Sequence, residues 1–83
     1  MNYRLALDLE ALRFLFALST ANRNSLIRWL ERLKNSPFSK GQTIITDPAG
    51  REIQVGKFSH FRIFYWTDHA VKPVQVVKIE LNS

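Results

Sequence analysis

Residues 60–67, HFRIFYWT, hold the side chains best suited to phosphate chemistry. The run has the aromatic and β-branched composition of a β-strand. Alternate residues of a strand share a face, so a strand beginning at His60 sets His60 and Arg62 beside Phe64 and Trp66. A guanidinium offers a planar fork that grips a phosphate through paired N–H groups. An imidazole can carry a proton near neutral pH. Aromatic rings next to them would stack an unpaired base. The structural alternative lays the Arg62 stem along the helices or the sheet with its head paired to Glu52 or Asp68. It makes His60 a polar residue at the start of the strand, and Phe64 and Trp66 part of the core. His69, next to Asp68 in a loop, is read as making a local hydrogen bond.

Composition narrows the classes. A chain of 83 residues is read as one domain, 1–83. A domain this size buries only about 60–65% of its unfolded surface. The apolar fraction of 46% and charged fraction of 23% are those of an ordinary globular domain. A net charge of +5 favours an acidic partner, whether nucleic acid or protein, over a solvated basic surface no more than evenly. With no cysteine there is no disulfide framework and no thiolate zinc site. The two histidines lack clustered carboxylates, and no phosphate-cradling glycine loop or catalytic triad is present, so neither metal nor cofactor is expected. The longest apolar run, Phe14 to Leu18, is too short to cross a bilayer, and the N-terminus lacks the pattern of a secretion signal. The expectation is a cytoplasmic protein that does not engage membranes.

Residues 2–7 alternate as a strand, with Tyr3, Leu5 and Leu7 on one face. Asp8 can cap a helix over 9–18, in which Leu12, Leu15, Phe16 and Leu9 form the inner stripe. Phe14 and Leu18 fall off that stripe and could meet a partner. After the break at Ser19–Asn22, a second helix spans 22–35. Leu26, Ile27, Leu30 and Leu33 point inward, Trp29 sits at the edge of that face, and Arg23, Arg28, Arg32 and Lys34 are outside. Pro37 ends it. Phe38–Gly41 is a loop and 42–46 a strand. Asp47-Pro48-Ala49-Gly50 is a turn leading to a strand over 51–57. A bend, bulge or tight turn at 56–59 precedes the strand 60–67, and residues 74–81 form the last strand, with Val77, Ile79 and Leu81 on one face. The order predicts an α+β domain: an N-terminal strand, a two-helix hairpin, then a mostly antiparallel sheet of about four further strands.

The pieces YRLAL, EALRFLFAL, LERLKNSPF, FRIFY and VVKIEL, in that order, resemble the RelE/ParE superfamily of bacterial toxins from toxin–antitoxin modules. The resemblance covers nearly the whole chain. It implies a cognate antitoxin that holds the protein inactive. RelE-type members bind the ribosomal A site and cut mRNA without a metal. ParE-type members share the fold but act on DNA gyrase. A member that keeps the fold as a non-toxic interaction module is a third possibility. Carried over, Arg62 matches a catalytic arginine that binds the scissile phosphate, with His60 as the candidate proton carrier. Arg51, Lys57, Arg62 and Lys78 would form the RNA-binding set, and Phe14, Leu18 and Trp29 would meet a protein partner. The family's K-x-K positions are Glu52 and Gln54 here, and no arginine with tyrosine or histidine follows the last strand.

Overall fold

In a computed structural model, residues 3–36, 41 and 43–81 are described. The expected start of the first strand at residue 2, the loop residues 38–40 with Pro37, and Gln42 lie outside them. The elements are β1 (Arg4–Leu7), α1 (Leu9–Phe16), α2 (Thr20–Asn35), β2 (Thr43–Thr46), β3 (Glu52–Phe58), β4 (Phe61–Thr67) and β5 (Pro73–Leu81). The strands form one sheet in the order β1-β5-β4-β3-β2. β2 through β5 pair antiparallel, and β1 joins β5 in parallel. This is the α+β arrangement expected. The helices carry the chain from β1 to β2 at the opposite edge, and three antiparallel connections then bring β5 back beside β1 in parallel.

The helices cover one face of the sheet. Ala11, Leu15, Leu26, Leu30 and Leu33 pack on Phe61, Ile63, Tyr65, Val74, Val76 and Ile79. The stripe on α1 differs from the expected one. Ala11 and Leu15 are buried, Phe14 and Leu18 pack beside them, and Leu9, Leu12 and Phe16 are exposed. The reason lies in close approach: Ala11, fully buried, has no bulk beyond Cβ and so lets α1 settle onto β5. In α2 the side chain of Ser19 accepts a hydrogen bond from the Asn22 N–H at 3.3 Å, so the helix starts two residues earlier than expected. Ile27, expected inside, is exposed.

The β2–β3 turn is the expected one. Asp47 accepts hydrogen bonds from the Ala49 and Arg51 amides at 3.0 and 2.8 Å, and Gly50 takes φ +85°. The β3–β4 connection is the tight turn among the expected forms, but it falls later than Gly56. No bend occurs at Gly56. β3 runs on to Phe58, and Ser59-His60 make the turn, with Ser59 at φ +57°. Gly56 answers a different need, for a Cβ there would stand 2.9 Å from Cη2 of Trp29. Without it, the indole lies on the strand between Phe58, at 6.2 Å, and Tyr65, at 6.4 Å.

β5 also departs from simple alternation. Phe64 pairs with Lys78 but Tyr65 with Val76, so Val77 is an extra residue, a β-bulge. The bulge lets Val74, Val76 and Ile79 all reach the core, where strict alternation predicted Val77, Ile79 and Leu81 together.

Two outcomes follow. Gly56→Ala should lower stability by about 1–3 kcal/mol in chemical denaturation, since the new methyl overpacks against Trp29. Burial pushes the Tyr65 hydroxyl above its ordinary value of 10.0. Its contribution is therefore fully present below the unfolded-state value and lost as pH rises through the folded-state one. Tyr65→Phe should flatten the fall in melting temperature at strongly alkaline pH.

Candidate phosphate-binding face

The face of the sheet away from the helices carries the charged row. β4 alternates: Phe61, Ile63 and Tyr65 go to the helices, leaving Arg62, Phe64 and Trp66 on the other side. Register then selects their neighbours. Lys57 on β3 and Glu80 on β5 flank Arg62, and Val55 and Lys78 flank Phe64. Lys57, Arg62 and Lys78, three of the cations expected to bind RNA, are thus gathered on one face. Glu52 and Gln54 fall on the opposite side of β3 from Lys57, and the Gln54 side chain accepts a hydrogen bond from the Gly41 amide at 2.8 Å.

Glu80 holds this group together. Arg62 Nη2 stands 2.5 Å from Glu80 Oε1, and Lys78 Nζ 3.5 Å from Oε2. Neither Glu52 nor Asp68 pairs with Arg62. Asp68 instead accepts hydrogen bonds from the Ala70 and Val71 amides. The Arg62 stem lies along the sheet, with Nε buried and unpartnered among the described residues. Its guanidinium end stays half-exposed. Sequence reading missed Glu80. The one available signal was Lys78-x-Glu80 at strand spacing, and nothing in the sequence says which β4 residue stands opposite.

The remaining expected site residues lie apart from this row. His60 is exposed in the turn, so it does not share a strand face with Arg62. His69 Nδ1 meets the Tyr3 hydroxyl at 2.8 Å, a partner far away in sequence. Arg51 lies further along the same open face, its guanidinium 4.2 Å from the Trp66 ring centroid and 3.9 Å from Asp47. Between Arg51 and Lys78 runs a groove of about 400 Å³, lined by Ile53, Phe64 and Val77. Phe14, Leu18 and Trp29 pack against the core, Phe14 edge-on to Phe61. The outward apolar side chains of α1 are Leu9, Leu12 and Phe16. No cluster of three or more metal-ligating side chains exists among the described residues. No helix among them is long and apolar enough to cross a membrane.

No family model matches the chain, and no curated protein matches it. Solved structures do. A chain of the RelBE2 toxin–antitoxin complex from Mycobacterium tuberculosis superposes with a TM-score of 0.80 at 15% identity, over 98% of this chain and 99% of that one. A chain of the archaeal RelE–RelB complex from Pyrococcus horikoshii gives 0.79 at 14% identity, over 100% and 98%. The isolated RelE toxin of E. coli gives 0.76 at 22% identity, over 98% and 85%. The chain has the RelE fold. Since the isolated toxin matches, the likeness is to the toxin half of those complexes. At these identities the RelE fold is what is shared, and the charged face must be argued from its own residues.

The Arg62–Glu80 pair is half-exposed, and such pairs contribute between 0 and about 1 kcal/mol. Arg62→Ala should therefore lower the stability of the folded chain by less than about 1 kcal/mol in urea unfolding. A functional loss in that variant would then come from the guanidinium itself.

Proposed function

We propose that this chain is the toxin member of a toxin–antitoxin pair and acts on translation, cutting RNA held on its open sheet face. The observation that carries this reading is the gathering of Lys57, Arg62 and Lys78 on the face that the helices leave uncovered. A half-exposed guanidinium with the Lys57 ammonium on one side, and Lys78 close by across its Glu80 partner, suits a phosphodiester, whose charge grows on the way to the transition state. The neighbouring Phe64 ring offers a surface for an unstacked base. The proteins of the same fold are RelE toxins, crystallised alone or with RelB, which supports a cognate antitoxin as the physiological partner of this chain.

A second reading has its own observation. Leu9, Leu12 and Phe16 form an uncovered apolar face on α1, which suits a toxin that acts by binding a protein such as DNA gyrase. The two separate in one pair of assays. Added to a translating bacterial extract, the wild-type chain should cut mRNA, and Arg62→Ala should cut at least about 100-fold more slowly. Intact mRNA together with blocked supercoiling by purified gyrase would replace the first reading with the second.

A further inference from the structure

The row Lys57–Arg62–Glu80 puts a carboxylate and an ammonium on opposite sides of one guanidinium. Paired strands lie about 4.8 Å apart, so the two flanking side chains leave the sheet roughly 10 Å from each other. A phosphodiester seated on Arg62 would have one group on each side. That spacing suits a base near the attacking oxygen and an acid near the leaving one.

We propose that Glu80 is the general base of RNA cleavage on this face, with Arg62 cradling the phosphate and Lys57 serving the leaving group. The inference rests on the RNA-cutting reading above. Glu80 takes the proton from a ribose 2′-hydroxyl. The freed oxygen bonds to the adjacent phosphorus, and the bond from phosphorus to the 5′-oxygen breaks. That oxygen takes a proton from the Lys57 ammonium. The products are a 2′,3′-cyclic phosphate and a 5′-hydroxyl. Glu80 then releases its proton to water and Lys57 regains one, so no co-reactant is consumed.

Position singles out Glu80. It is the only carboxylate bonded to Arg62 among the described residues, and its side chain is 29% exposed, open to a ligand. Arg62 holds Oε1 and Lys78 lies beside Oε2, which aims the group along the row. The charged groups around it are Arg62 from β4, Lys78 from its own strand, and Lys57 one strand further on. β1 pairs only with residues 73–76 and does not reach it. The helices lie on the other face.

Glu80→Gln keeps the shape and removes the base. Single-turnover cleavage of mRNA on programmed bacterial ribosomes should slow by at least about 100-fold in this variant. The wild-type rate should fall toward acid pH, and that limb should vanish in Glu80→Gln. Binding of the same complex carrying 2′-O-methyl mRNA, which cannot be cut, should be unchanged or tighter. Glu80→Asp, which retains a carboxylate, should cut slowly and keep the acid limb. If Glu80→Gln cuts like the wild type with the limb intact, Glu80 is only an ion-pair partner and the inference falls while the nuclease reading stands. If Glu80→Gln loses binding of the methylated RNA, its role is in binding and the inference falls again. A wild type that cuts nothing removes both.

Discussion

Strand β4 has to satisfy both faces of the sheet. It pairs with β3 over Phe61–Tyr65 on one side and with β5 along its length on the other, so its backbone is committed and only its side chains are free to differ. Those facing the helices are Phe61, Ile63 and Tyr65, all buried. Those facing away are Arg62, Phe64 and Trp66. The period-2 geometry of a strand means that one cannot be moved without moving the other. A one-residue slip would bury a guanidinium beneath α1 and α2 and expose Ile63. The hydrophobic core therefore fixes the direction of Arg62, and the charged face inherits its precision from the packing behind it.

The bulge at Val77 refines that control. Before it, β5 presents Val74 and Val76 to the core; after it, Ile79. Strict alternation would have carried Lys78 and Glu80 to the same side as Val76, beneath the helices. The extra residue instead sets Lys78 opposite Phe64 and Glu80 opposite Arg62, on the open face. One inserted residue thus keeps an apolar strand in the core and delivers a carboxylate to the guanidinium. The ion pair so formed is half-solvated, so it contributes little to stability. Its consequence is positional: it orients a fork that would otherwise swing freely.

Gly56 and Trp29 show the opposite economy on the helix side. A glycine in a strand weakens it and suggests a bend, yet here the strand runs straight through. The missing side chain is filled by an indole from α2, which locks that helix to β3 and β4 together. The close approach of Ala11 to β5 plays the same part for α1. Each helix is thus seated at a position where one side of the contact has almost no side chain.

Much was legible before any coordinates. The alternation of Tyr3–Leu7, the break at Ser19–Asn22, the leucines of α2 at helical spacing and the Asp47–Gly50 turn are local signals, and local physics decides them. Together they carried the α+β order and the RelE/ParE resemblance. Local signals could not orient α1, because LEALRFLFAL is apolar on nearly every side and only contact with β5 selects Ala11 and Leu15. They could not separate a glycine that bends from one that makes room, so His60 was drawn into a strand when it belongs to a turn. Least of all could they find Glu80, eighteen positions from Arg62 and beside it only through cross-strand register and a bulge. The sequence by itself determined the elements and their order, since propensity, spacing and turn chemistry act between near neighbours. Which charges meet on the open face was decided by the tertiary structure, because strand register is set by the whole core at once.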